Sequence, residues 1–189
     1  HFFEKLGIHL TFGAPTDDMS AKSFLPKELM EGISNTTTAN GPLAKSTHTV
    51  YKATPEEKGF SLNSFIVFAL AMLVLLALSG KKLVQRSFLA IAGLMGLFFC
   101  LAGLYSLHSE LIWNYNALLM NPIALLLLCF IFTNKPKAIL STSYVYLACI
   151  GMYGIYILNK PHLLVVLPLL TLMVAVLLRI ILAQKKKIA

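Results

Sequence analysis

The feature that most constrains this chain is the grouping of its apolar residues into long blocks. Each block contains about 20 residues, the length that an α-helix needs to cross the ~30 Å hydrocarbon core of a bilayer. Hydrophobic residues make up 57% of the chain and charged residues only 13%, which is more apolar surface than one globular core can bury. The pattern predicts five membrane-spanning helices, at residues 62–78, 88–107, about 111–132, 138–158 and 163–182.

The predicted fold class is therefore an all-α, polytopic membrane protein with five transmembrane helices and a small extracytoplasmic N-terminal segment. Residues 61–189 form the transmembrane domain in this interpretation. Residues 1–60 are polar and contain turn signals, so they can form only a small unit outside the membrane. Because no export signal precedes this segment and the chain begins with His1, we expect it to continue an upstream extracytoplasmic domain of a longer protein.

The distribution of charge excludes a nucleic-acid partner and predicts the orientation of the helices. Residues 1–60 hold six Lys and seven acidic residues, so the net charge of +8 arises from the membrane region, which holds one acid, Glu110. The loops after the second and fourth spans contain one cation, Lys160. Since cytoplasmic loops are enriched in Lys and Arg, the C-terminus is predicted to be cytoplasmic and residues 1–60 to be outside. With five spans, the other nine cations of the membrane region are predicted on the same side of the membrane as the C-terminus: Lys81, Lys82, Arg86, Lys135, Lys137, Arg179, Lys185, Lys186 and Lys187.

This orientation is directly testable by cysteine accessibility. In a variant that lacks Cys100, Cys129 and Cys149, Ser46→Cys is expected to react with a membrane-impermeant maleimide in intact cells. Gln184→Cys is expected to react only after the membrane is permeabilised. Labelling of the Gln184→Cys variant from outside would contradict the predicted orientation.

The stretch "LHSELIWNYNALLMNPIALLLL", residues 107–128, places polar side chains at the entrance of the third span. Pro122 lacks an N–H group and disfavours helical geometry at Asn121, so we predict that this span is bent or interrupted there. Such a break is tolerated in lipid only where protein or water satisfies the freed backbone groups. The asparagines could satisfy them, or they could face a substrate in a polar notch formed with Trp113. We assign six candidate substrate- or lipid-binding residues: His108, Glu110, Trp113, Asn114, Asn116 and Asn121.

Two further features bear on catalysis. His108 and Glu110 could form a catalytic dyad in an extended loop, whereas their spacing of two residues keeps them off a common helical face and favours interfacial hydrogen bonding. The three cysteines lie inside predicted spans with no base close in sequence, and buried thiols usually act as small apolar side chains. The sequence therefore assigns no catalytic residue, no metal site and no cofactor to this chain. On the second span, the small residues Ala92, Gly96 and Cys100 predict close helix packing.

Two quoted stretches resemble a known family. "FFEKLGIHLTFGAPTDDMSAKSFLPKELMEGI", followed by a Thr/Asn-rich loop and "GPLAKST", resembles the region just after the catalytic domain of the Lnb-type lipoprotein N-acyltransferases of Bacteroidetes. "WNYNALLMNPIALLLL" resembles the signature of the C-terminal membrane region of that family. The resemblance implies an upstream periplasmic, papain-like domain, in which a cysteine thiolate and a histidine transfer an acyl chain. The donor would be a membrane lipid, and the acceptor the N-terminal α-amine of a lipoprotein.

The resemblance also implies a location and partners. The protein would lie in the bacterial inner membrane with residues 1–60 in the periplasm, and its partners would be membrane phospholipid, the lipoprotein substrate and a larger membrane complex. A non-enzymatic scaffold or accessory subunit of a membrane complex is the alternative. A small-solute permease is disfavoured because no Asp, Glu, Lys or His lies in the middle of a span.

Overall fold

The computed structural model describes residues 2–12, 26–39, 41–44, 46, 61–106, 111–160 and 162–188. Within these residues the chain is mainly helical, with one antiparallel pair of two-residue strands, β1 (Thr37–Thr38) and β2 (Gly41–Pro42). A short 3₁₀ helix, Tyr115–Leu118, precedes the interruption of the third span. The α-helices are α1 (Phe2–Thr11), α2 (Pro26–Asn35), α3 (Phe65–Leu78), α4 (Lys82–Tyr105), α5 (Ile123–Phe132), α6 (Pro136–Ile157) and α7 (Leu163–Ile188).

Helices α3 to α7 confirm the predicted all-α membrane fold. The third span consists of the 3₁₀ helix, a break and α5. Helix α3 is apolar but shorter, with 14 residues, or about 21 Å at 1.5 Å per residue. The orientation of the bundle in the membrane stays a prediction. Within the described ranges, four regions are long and apolar enough to cross a membrane: Lys82–Tyr105, Tyr115–Phe132, Pro136–Ile157 and Leu163–Lys187.

Several helix boundaries differ from the sequence prediction: α7 continues to Ile188 rather than ending at residue 182, and two helices begin at different residues. Helix α4 begins at Lys82 rather than at residue 88, so Lys82 and Arg86 lie in its first turns. Long cationic side chains permit this, because their apolar stems can follow the helix while the charged heads reach the headgroup region. Helix α3 begins at Phe65 rather than at residue 62, because the hydroxyl of Ser64 accepts a hydrogen bond from the backbone N–H of Val67 at 3.4 Å and caps the helix.

The membrane helices pack in an order that differs from their order in the chain. The most extensive pairing is between α6 and α7, α3 packs on α7, and α5 packs against both α4 and α6. The buried face of α6 repeats at intervals of three, four and seven residues, which lie on one side of a helix. This face includes Tyr146, Ile150, Tyr153 and Ile157, all at most 3% exposed.

The predicted interruption of the third span is confirmed. Residues 119–122 lie outside both flanking helices, and α5 has only 10 residues, about 15 Å. The hydroxyl of Tyr146 donates to the carbonyl oxygen of Leu119 at 2.8 Å and accepts from the N–H of Asn121 at 3.4 Å. The side-chain oxygen of Asn121 accepts from the N–H of Ile123 at 3.0 Å. Protein groups thus satisfy backbone atoms that the break leaves without helical partners.

Close packing of α4 against this break depends on glycine. A Cβ at Gly96 would clash with the carbonyl oxygen of Met120 and lie 2.7 Å from the carbonyl carbon of Asn121. Ala92 and Gly96 are buried as predicted, but Cys100, the third residue of the predicted stripe, is exposed. That part of the prediction was wrong because Cys100 lines a groove and does not pack against the third span.

Candidate functional site

Helix α1 packs across the end of the bundle at which α3 and α7 begin and α4 and α6 end. We call this the α1 end. Helix α1 buries Leu6, and its first residues contact the start of α3. The ring centroids of Phe2 and Phe68 are 5.4 Å apart, and the N–H of Phe3 donates to the side-chain oxygen of Asn63 at 2.7 Å. The first turn of α1 is therefore fixed to the membrane domain.

The last turn of α1 is held by two asparagines of the third span. The amide nitrogen of the Asn114 side chain donates to the carbonyl oxygens of Leu10 at 3.0 Å and Thr11 at 2.8 Å. The corresponding nitrogen of Asn116 donates to the carbonyl oxygen of His9 at 2.8 Å. Because the last carbonyls of a helix have no partner within it, these bonds form a C-terminal cap supplied by a segment more than one hundred residues away.

Asn116 also connects this cap to α6. Its side-chain oxygen accepts a hydrogen bond from the hydroxyl of Tyr153 at 2.9 Å, and its side-chain nitrogen donates to the side-chain oxygen of Asn114 at 3.0 Å. Asn116 is 0% exposed and Asn114 is 8% exposed. Burial in a region of low dielectric strengthens such bonds and raises the cost of breaking one. The network therefore joins α1, the 3₁₀ segment and α6 into one unit.

An aromatic cluster extends the same contact to the start of α7. The rings of His9 and His162 are stacked, with centroids 5.0 Å apart and an interplanar angle of 21°. The Nε2 atom of His162 lies 3.2 Å from the hydroxyl of Tyr115, in a hydrogen bond. The ring of Tyr115 is 4.6 Å from that of Tyr156, over which the Lys160 ammonium lies at 5.3 Å. These contacts attach α1 to the turn between α6 and α7.

A groove of about 480 Å³ lies beside the network, between the last turns of α4 and residues 111–117. Its lining is mostly apolar and includes Cys100 and Trp113. Gly103 allows the two walls to approach, since a Cβ there would lie 2.9 Å from the carbonyl oxygen of Leu111. We call this space the α4 groove.

Trp113 has an unusual backbone conformation. Its φ angle is 58°, in the left-handed region, and its side chain is 82% exposed. A non-glycine residue in this region costs on the order of 1–3 kcal/mol and is often found at functional sites. The conformation separates the exposed indole from the buried side chain of Asn114. An exposed indole beside an apolar groove is typical of a side chain at the membrane interface.

Comparison with protein families identifies the membrane region. The family model described as the Lnb transmembrane domain matches residues 54–187, more than two thirds of the chain. The chain belongs to this family. No curated protein and no solved structure matches it. The result confirms the resemblance noted in the sequence and makes the chain a membrane module of an Lnb-type protein. Helix α1 precedes the matched region, yet it is hydrogen-bonded to the Lnb transmembrane domain through Asn114 and Asn116.

The structure separates the six predicted site residues. His108 and Glu110 lie outside the described residues. Asn114 and Asn116 do not open into a notch with Trp113, because their amides are buried against the carbonyl oxygens of α1. That shape was predicted wrongly, since the α1 cap uses the hydrogen-bonding capacity that a notch would have presented. Asn121 is half-buried and caps α5, and Trp113 borders the α4 groove. Substrate or lipid binding by these residues stays a prediction.

Sequence reasoning missed His9, His162 and Tyr153 as members of the network. Tyr146 and Tyr153 are seven residues apart on the buried face of α6, and this spacing was a usable signal for two buried tyrosine hydroxyl groups facing the third span. Nothing in one sequence pairs residue 9 with residue 162. Among the described residues, no group of three or more His, Cys, Asp or Glu side chains could hold a metal ion.

The contribution of Asn121 to the start of α5 can be tested by its effect on stability. Because its side chain caps α5, Asn121→Leu is expected to lower the free energy of unfolding by about 1 kcal/mol. Asn121→Asp keeps the acceptor oxygen and is expected to retain most of that stability. Thermal unfolding in detergent measures both variants. Equal stability of Asn121→Leu and the unchanged chain would show that the Asn121 side chain does not hold the start of α5.

Proposed function

We propose that this Lnb transmembrane domain is the membrane module of a lipoprotein N-acyltransferase. In this proposal it anchors a periplasmic, thiol-dependent catalytic domain and presents lipid or lipoprotein substrate to it at the outer leaflet of the inner membrane. The observation that carries the proposal is the position of α1, which is capped by Asn114 and Asn116 directly beside the α4 groove.

The anchoring role rests on the rigidity of the α1 contact. Phe2 and Phe3 fix one end of α1 to α3, and the two asparagines fix the other end to the third span. A catalytic domain joined through α1 would therefore be held at a defined position instead of swinging on a flexible linker. Fixed positioning of a catalytic group relative to its substrate contributes strongly to rate.

The presenting role rests on the chemistry of the α4 groove. Its lining is mostly apolar, and its volume of about 480 Å³ lies within the roughly 300–1,000 Å³ range of small-ligand sites. Its wall on α4 includes Leu104, which is 84% exposed, so the groove opens towards the surroundings of the helices. An acyl chain of a membrane lipid fits such a lining, and Trp113 would lie at the level of its headgroup.

Two exposed cysteines offer a matched test of the groove in the intact enzyme. Cys100 lines the groove, whereas Cys129 lies on α5 and is not among its lining residues. Cys100→Trp is expected to fill the groove and lower the rate of lipoprotein N-acylation about tenfold, corresponding to about 1.4 kcal/mol of barrier. Cys129→Trp is expected to leave the rate unchanged. Melting temperatures in detergent control for folding, and equal rates for the two variants would exclude a lipid-presenting groove.

A deletion experiment separates the enzyme from the alternative of a non-enzymatic scaffold. Cells that lack the intact protein are expected to accumulate lipoproteins with a free N-terminal amine, detectable by mass spectrometry. Re-expression of the intact protein should restore N-acylation. Unchanged N-acylation in the deletion strain would favour the scaffold.

A further inference from the structure

The end of the bundle opposite α1 concentrates positive charge without an acidic counterpart in its own sequence. Its nine Lys and Arg residues, named above, lie in three places: the first turns of α4 and the turn before it, the first turn of α6 and the turn before it, and the second half of α7. The single acid of residues 61–189 is Glu110, which in sequence lies between α4 and the 3₁₀ helix and belongs to none of these segments. We call this region the cationic end. Its segments contain no acidic side chain to balance their charge.

Arg86 is the most specific feature of the cationic end. Its guanidinium carbon lies 4.9 Å from the ring centroid of Phe132, at the contact between α4 and α5. Its Nε atom is buried and has no hydrogen-bond partner within the part of the chain that the structure describes. A buried donor without an acceptor destabilises the folded chain, and more so when it is charged. The guanidinium is a planar fork of donors that matches the oxygens of phosphate and carboxylate groups.

The backbone adds to the positive potential around Arg86. Helices α4 and α6 both begin at the cationic end, at Lys82 and Pro136, and neither has a side-chain hydrogen bond that caps its first turn. The first N–H groups of a helix have no partner within it and carry a partial positive charge. Arg86 lies in the second turn of α4, so its charge and the first N–H groups of this helix contribute to the same region of positive potential.

We propose that Arg86 and the uncapped start of α4 bind the phosphate group of an anionic phospholipid, and that the neighbouring lysines widen this site into a headgroup-binding surface. A phosphodiester supplies acceptor oxygens and a negative charge at the depth where a helix leaves the hydrocarbon. The ring of Phe132 and the apolar stem of Arg86 border the start of the acyl chains. Basic pockets between transmembrane helices bind anionic headgroups in this way. The site lies at the opposite end from the α4 groove and is independent of the proposed acyl transfer.

The test uses the purified 189-residue chain with two lipids of matched acyl chains, phosphatidylglycerol and phosphatidylcholine. Native mass spectrometry in detergent measures how much of each lipid is retained. The chain is expected to retain phosphatidylglycerol about tenfold better, and Arg86→Gln is expected to abolish most of this preference. Lys5→Gln removes one charge from an exposed position on α1 and is expected to leave the preference unchanged. Arg86→Lys keeps the charge but not the fork, so it should give an intermediate value.

Controls for folding, salt and free phosphate make the proposal falsifiable. Thermal unfolding in phosphatidylcholine micelles shows whether each variant is folded. If Arg86→Gln is unfolded, the comparison is made with Arg86→Lys. At about 0.5 M NaCl a partly buried site should keep most of its preference, whereas a diffuse surface attraction is screened. Equal retention of the two lipids would overturn the proposal. So would an unchanged preference in Arg86→Gln together with its loss when Lys185, Lys186 and Lys187 are replaced by Gln. Equally tight binding of inorganic phosphate would show a free-ion site instead.

Discussion

Replacement of Asn116 by leucine is expected to lower the free energy of unfolding of the membrane domain by about 3 kcal/mol. Leucine has nearly the shape of asparagine, but it removes the bonds that Asn116 makes with the Tyr153 hydroxyl and the His9 carbonyl, each worth about 1–3 kcal/mol when the partner is left buried. The last turn of α1 should also become accessible. Unfolding by SDS in mixed micelles, followed by circular dichroism, measures the first effect. Limited proteolysis of α1 measures the second.

Two companion variants define what this result means. Asn159→Leu changes an exposed asparagine in the turn after α6 and is expected to alter stability by less than about 0.5 kcal/mol. Tyr153→Phe removes only one hydroxyl and is expected to cost about 1 kcal/mol. If Asn116→Leu unfolded at the same SDS concentration as the unchanged chain, the cap on α1 would carry no stability and the anchoring role would lose its basis.

The Gly96→Ala variant is expected to have an effect of similar size through sterics alone. The added methyl group would meet the carbonyl groups of Met120 and Asn121, which are backbone atoms and cannot move aside as a flexible side chain can. Helix α4 must therefore shift away from the interruption, which should cost about 3 kcal/mol, at the upper end for overpacked cores. Mass spectrometry of hydrogen exchange is expected to show faster exchange at residues 119–125.

Gly154→Ala is the matched control for this variant. Gly154 also lies within a membrane helix, α6, but a Cβ there would have nothing within 4 Å. The Gly154→Ala substitution should therefore leave stability unchanged or raise it by up to about 1 kcal/mol, since alanine favours the helix. Equal destabilisation of Gly96→Ala and Gly154→Ala would mean that the contact with residues 120–121 does not account for the result.

Much of the fold could be predicted because membrane helices are constrained locally. Twenty apolar residues in a row have one stable conformation in lipid, and Pro122 removes a backbone donor from that conformation and disfavours it at Asn121. Those two facts predicted the helical segments and the interruption at Asn121. The helix boundaries were less accurate, because the Ser64 cap fixes the start of α3 and because the first turns of α4 contain cationic residues, which a count of apolar residues leaves out.

The site was harder to predict because its partners are backbone atoms of a distant segment. The sequence indicated that the asparagines needed partners, but the carbonyl oxygens of His9, Leu10 and Thr11 are present in every residue and leave no pattern in the side chains. A single sequence therefore could not distinguish a cap on α1 from a notch open to substrate. The same reason explains why the stacking of His9 on His162 was not anticipated.

The short length of α3 has a consequence for the surrounding bilayer. Its apolar surface is about 21 Å tall, whereas the neighbouring α7, with 26 residues, is about 39 Å long. Hydrophobic mismatch costs a fraction of a kcal/mol per Å, so we expect the bilayer to thin beside α3 and the longer α7 to tilt within the ~30 Å hydrocarbon layer. The boundary of the bilayer would then be stepped around the molecule. We expect acyl chains along this perimeter to be less ordered beside α3 than beside α7.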